Sequence, residues 1–166
     1  MVDVPFVTLL VIHLGSIVAW MGAAALFVLV IAPSLGTMSP GARGEFVTST
    51  LPRYFQFIQG SSLTAVSAGL GLYGYIILSN RALGDSNQVS LQAGIGVALV
   101  ALIVLYGMGL PAGRKMVALV KQMGKTPSAD LAGQVAVQQR KASIAAKVGV
   151  GLLAITLVLM ILSREL

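Results

Sequence analysis

The sequence predicts an all-α integral membrane protein, a four-transmembrane-helix bundle. Composition, the spacing of the apolar segments and the placement of the charges all point to it. Of 166 residues, 57% are hydrophobic and 10% are charged, and the mean hydropathy is +0.92. Soluble domains carry about 25% charged residues. Four segments, residues 6–32, 54–78, 91–110 and 143–162, reach the roughly 20 apolar residues a helix needs to cross a hydrocarbon core. They make residues 1–166 a single transmembrane domain.

Charge placement predicts an orientation. The first and third connections, with the helix ends beside them, hold nine cations: Arg43, Arg53, Arg114, Lys115, Lys121, Lys125, Arg140, Lys141 and Lys147. The opposite side holds Arg81 and Arg164. Cations concentrate on the cytoplasmic side of a membrane protein, so the expectation is a cytoplasmic (inner) membrane protein with both termini outside. The first span is expected to stay in the mature chain, because Asp3 and no Lys or Arg precedes it. The net charge of +6 suits lipid headgroups and not nucleic acid, since the cations sit at the ends of apolar segments.

The connections carry further signals. Pro33 is expected to end the first helix, and Ser39 with Pro40 reads as an N-cap and first position of a short interfacial helix leading to Pro52. In the third connection Met116, Leu119, Val120 and Met123 form one apolar stripe, which Gly124 terminates. After Pro127 and a Ser128 N-cap, the last helix is expected to run from near Ala129 to Leu162, roughly 50 Å at 1.5 Å per residue. That exceeds a membrane, so helices 3 and 4 are expected to extend into a cytoplasmic hairpin. Gly107, Gly109, Pro111 and Gly113 should loosen the third helix near its basic end. Pro33 and Pro111 follow the first span of each half and hint at a duplication. Small residues recur at packing intervals: Gly60, Thr64, Ser67, Gly71 and Gly74 in the second span, Gly94, Ala98 and Ala101 in the third, Ala142, Ala145 and Gly149 in the fourth. Such stripes let membrane helices approach closely.

Chemistry is scarce. All five acidic residues, Asp3, Glu45, Asp85, Asp130 and Glu165, lie outside the apolar spans, which argues against an ion-coupled transporter or proton pump. With no cysteine and one histidine, nucleophile-and-base arrangements have few candidates, so an enzyme is the lesser expectation. His13 is the exception, a titratable ring about 12 Å below the outer helix end. His13, Ile17, Trp20, Ala24 and Phe27 form one stripe, expected to face the bundle because a polar ring against lipid is costly. The functional reading makes His13 an axial haem b or copper ligand beside Trp20, with Met21 a soft candidate ligand for Cu(I). The alternative is a neutral histidine bonded to a hydroxyl on a neighbouring helix. Lys147, Arg53, Arg114 and Lys115 would either hold an anionic group such as a propionate or lipid phosphate, or snorkel to the interface. Gln56, Gln59, Ser61 and Ser62 read as an interhelical hydrogen-bond cluster.

His13-Leu14-Gly15, Trp20-Met21-Gly22, Ala32-Pro33-Ser34-Leu35, Arg43-Gly44-Glu45-Phe46 and Leu51-Pro52-Arg53-Tyr54 together resemble the copper-resistance D-type (CopD) family of membrane proteins, over roughly residues 10–75. The resemblance implies a four-helix unit linked to copper handling, with His13 as the candidate ligand. More distantly the chain resembles the HemJ-type haem-biosynthesis proteins, whose lysine deeper in the bundle has no counterpart in residues 91–110. The functional expectation is a membrane protein that handles copper or binds haem through His13. The alternative is a non-catalytic accessory subunit of a larger membrane complex, respiratory or copper enzyme, or a homo-oligomer in the bilayer.

Overall fold

The computed structural model describes residues 3–79 and 85–165; Arg81 lies outside them. Among the described residues every regular element is helical: α1 Val4–Leu26, a π turn Phe27–Ile31, α2 Ala32–Thr37, α3 Pro40–Leu78, α4 Asp85–Val104, a π turn Leu105–Gly109, α5 Leu110–Met123 and α6 Ala129–Glu165. Joined through their π turns they make four helices long and apolar enough to cross a membrane. Large apolar side chains such as Val11, Val18, Leu29, Ile103 and Val158 stand exposed on them, as a lipid-facing surface requires and water would not tolerate. The chain is a multi-pass membrane protein.

The ends of the helices follow local chemistry. Asp3 caps α1 by accepting from the Phe6 N–H at 3.2 Å, and Ser39 caps α3 through the Ala42 N–H with Pro40 as first residue. Ser128 caps α6 through the Leu131 N–H at 3.2 Å. Gly124 follows α5 as expected, with φ of −64°, so it closes the helix without a left-handed residue.

Two expected breaks are not breaks. The first helix runs past Pro33 to Thr37, because the π turn just before it, with the Ala32 N–H bonded to the Phe27 carbonyl, gives the ring room. The Ser34 hydroxyl returns a donor to the Val30 carbonyl at 2.7 Å. The short interfacial helix and second span are likewise one helix, with Pro52 inside it. Proline there costs only the N–H that would meet the Thr48 carbonyl, while the next-door Leu51 is wholly buried and holds the segment in place.

α1 pairs with α3, and α4 and α5 pair with α6, giving two helical hairpins. The first is latched at one end by the Tyr75 hydroxyl, which donates to both Asp3 carboxylate oxygens at 2.8 and 2.9 Å. In the second, Gly94 lets Met160 and Leu159 approach within 3.2 to 3.5 Å of where a Cβ would stand. The hairpins meet chiefly at the basic end, where α3 packs on α5. Here Val47, Leu51 and Phe55 of α3 bury against Leu110, Met116 and Val117 of α5, with Phe27 completing the cluster.

The small-residue stripes divide. Gly94, Ala101 and Ala145 face inward as expected. The stripe of α3 does not: Gly60, Thr64, Ser67 and Gly71 are exposed, because Ile58, Ser62, Ala65, Ala68 and Leu72 take the buried face.

The α3–α5 clasp depends on Gly113, whose Cβ, if present, would run into the Phe55 ring. Gly113→Ala should therefore lower unfolding stability by about 1–3 kcal/mol through overpacking. Gly60→Ala, where a Cβ meets nothing within 4 Å, should be neutral or stabilising by up to about 1 kcal/mol from helix propensity. Unfolding of the two variants in mild detergent, followed by circular dichroism, compares them directly.

Candidate functional site

His13 sits in the N-terminal half of α1, half-buried, on the stripe that continues to Trp20 and Phe27, both buried. The stripe faces the bundle as the sequence predicts. The ring's partner is a backbone group: Nδ1 lies 2.7 Å from the Ala65 carbonyl oxygen of α3. A carbonyl only accepts, so Nδ1 carries the proton and donates, and in the neutral ring Nε2 keeps its lone pair.

Gly69 makes that contact feasible. A Cβ at this position would stand 2.6 Å from His13 Cε1 and 2.9 Å from Nδ1. Helical register places Gly69 one turn after Ala65, so its N–H meets the same carbonyl, whose second lone pair takes the imidazole. Neither Ala65 nor Gly69 is visible as a partner in the sequence. The signal is a glycine set midway between Ser67 and Gly71 of the small-residue stripe, and it acquires meaning only once α1 lies on α3.

The other candidate ligands are elsewhere. Trp20 is two turns along α1, 4% exposed, packed with Ile58, Ala65, Ala101 and Leu153. Met21 rests against that cluster, about 12 Å along the helix from His13. Among the described residues no three His, Cys, Asp or Glu side chains gather in a metal-binding group. The donor set at His13 is a single imidazole nitrogen. That suits haem iron, which accepts one axial histidine, and suits copper poorly, since copper sites take several N or S ligands.

Between the hairpins lies an apolar void of about 60 Å³. Its walls differ: Trp20, Phe27, Tyr54 and Phe55 line it from the first hairpin, and Ala101, Gly109, Ala142, Ala145 and Gly149 from the second. Tyr54 stacks on Phe27 with centroids 5.1 Å apart and donates its hydroxyl to the Ala23 carbonyl at 3.2 Å, so its polar atom is satisfied. At about 10–15 Å³ per water-sized atom, the void takes some four to six heavy atoms. It has no room for a macrocycle, and His13 does not line it.

At the basic end Arg114 donates to Gln59 Oε1 at 2.8 Å, and the Tyr106 hydroxyl reaches the Gln59 carbonyl at 3.4 Å. The expected polar cluster thus forms between α3 and α5, but around Gln59 alone. Ser61 and Ser62 bond back into their own helix, and Gln56 is exposed.

No protein-family model, curated protein or solved structure matches the chain.

The His13 geometry makes a specific prediction. Gly69→Ala should push the ring off the Ala65 carbonyl, destabilise the α1–α3 pair by about 1–3 kcal/mol, and abolish the preference for the Nδ1–H tautomer. Nitrogen-15 NMR of histidine-labelled protein reads the tautomer directly. Gly15→Ala, on His13's own helix α1 but with nothing within 4 Å, should leave the tautomer unchanged and the stability unchanged or raised by up to about 1 kcal/mol.

Proposed function

We propose that this chain is a haem-binding membrane bundle in which His13 supplies the axial ligand through Nε2. The observation that carries the reading is the Nδ1 contact to the Ala65 carbonyl at 2.7 Å. It orients the ring and selects the tautomer, the role that outer-shell carbonyls play for metal-bound histidines. His13 would hold the iron, and the iron would supply electron transfer or binding of a small ligand. This chain's own contribution is to fix the imidazole, exclude water from it and present it from the side of the α1–α3 pair. Copper handling, the other expectation for His13 and Met21, draws less support because Met21 is two turns away in the Trp20 cluster.

His13 alone would hold the group from this chain, so any further ligand would come from another molecule, which fits a subunit of a larger assembly or a homo-oligomer. One observation favours the related reading of an accessory subunit without a cofactor. The exposed Gly60, Thr64, Ser67 and Gly71 stripe of α3 is the kind of surface another membrane helix packs on. In either reading the basic end faces the cytoplasm, by the positive-inside rule, and α5 with the start of α6 projects there as a hairpin.

Protein purified from membranes of haem-replete cells should show a Soret band that shifts on reduction. His13→Ala should remove the band, and Met21→Ala should retain it. Absence of the band in wild-type protein reconstituted with haem b, alongside a stoichiometric co-purifying partner, would instead select the accessory-subunit reading.

A further inference from the structure

The void between the hairpins and the unbalanced charge beside it support a second site, independent of His13. On α6 the void-lining residues run from Ala142 to Leu153, a height of about 16 Å at 1.5 Å per residue. The wall therefore extends from the middle of the bundle to the basic end. The lining is almost wholly apolar and the Tyr54 hydroxyl on it already donates to the Ala23 carbonyl, so the surface suits hydrocarbon better than water. One loosely packed side is the seam between α1 and α6, which touch far less than the helices within either hairpin.

Cations stand beside the void-lining face of α6. Ala145 meets Gly109 of the second hairpin, while Ala146 lines the void and packs on the cluster that contains Phe27, Leu51 and Phe55. Each residue turns the helix by about 100°, so Lys147, the next along, stands on the outer surface beside that face. Arg140 lies seven residues earlier on the same face, and both are exposed. The basic end holds nine cations against Glu45 and Asp130, and Asp130 accepts from the neighbouring Gln134 amide. The excess positive charge is left to something outside the chain.

We infer that the seam is a binding site for one acidic phospholipid of the surrounding membrane. Its phosphate sits between Arg140 and Lys147, and the end of one acyl chain enters the void between the aromatic wall and the alanine–glycine wall. The narrow void admits an unbranched chain and nothing thicker. Cations near a membrane surface each add to the attraction for anionic headgroups, which sets the preference for an acidic lipid over a zwitterionic lipid with the same chains.

The experiment is delipidation in detergent followed by titration with palmitoyl-oleoyl phosphatidylglycerol or phosphatidylcholine, read by native mass spectrometry. Wild-type protein should retain one phosphatidylglycerol and no phosphatidylcholine. The double substitution Arg140→Gln, Lys147→Gln should weaken retention roughly tenfold, as expected for two cations at the headgroup. Gly149→Leu fills the void, where a Cβ meets nothing within 4 Å, and should weaken it comparably. Ala142→Leu provides a second filling variant should the first not retain its helical circular dichroism and monodisperse elution. Lys121→Gln with Lys125→Gln removes the same charge away from the seam and should retain the lipid, as should His13→Ala. Equal retention of both lipids by wild-type protein, or undiminished phosphatidylglycerol binding by a folded void-filling variant, overturns the assignment.

Discussion

In a hydrocarbon solvent no water waits to satisfy a freed backbone group, so each proline within a span must be absorbed by the helix that carries it. This constraint shapes both hairpins in the same way. The π turns start at Phe27 and Leu105, each six residues before a proline, Pro33 and Pro111. Each widens its helix by one residue per turn while keeping the backbone bonded, through the Ala32 N–H to Phe27 and the Leu110 N–H to Leu105. Phe27, Leu105 and Gly109, all from these turns, line the void between the hairpins. The structural likeness of the two turns gives physical content to the hint of a duplication, and both turns border the apolar void where the two halves meet.

Packing then separates a tight pair from a loose one. Within the hairpins, helices approach through missing side chains: His13 over Gly69, Met160 over Gly94. Between them the largest contact is at the basic end, where Phe55 covers Gly113, and a second cluster joins Trp20, Ile58 and Ala65 to Ala101 and Leu153. Between the two, aromatic rings on one side face mainly small and aliphatic side chains on the other without closing the gap. A bundle assembled in this order has two distinct places for chemistry. One is the half-buried imidazole on the flank of the first hairpin, oriented by a carbonyl. The other is an apolar seam edged by cations. The first provides a donor atom, the second shape and charge, and neither depends on the other.

The glycines show how far a linear reading reaches. Gly60, Thr64, Ser67, Gly71 and Gly74 have the better small-residue spacing, yet they lie mostly outside, while Gly69, outside that spacing, receives the histidine. Spacing identifies a face of a helix but not which neighbour that face meets, because rotation about the helix axis is decided by the summed packing of all its sides. Pro33 and Pro52, expected to end helices, lie within them instead. A proline ends a helix or sits inside it depending on whether a wider turn or buried neighbours offset the lost hydrogen bond, and that offset comes from Leu51 and the π turn.

What the sequence by itself determined is the architecture: four apolar helices, their capping residues Ser39 and Ser128, the inward stripe from His13 to Phe27, and a charge-rich end. These follow from local periodicity, side-chain chemistry and the bilayer's length requirement, none of which needs a partner. What only the tertiary structure decided is what those residues touch. His13 meets the Ala65 carbonyl instead of a hydroxyl, Met21 joins the Trp20 cluster and not the histidine, Gln59 alone bonds across to Arg114 and Tyr106, and the seam stays open. Such contacts join residues tens of positions apart. They exist because two hairpins, each satisfied within itself, were left to find one docking that buries Leu51 and clears Gly113.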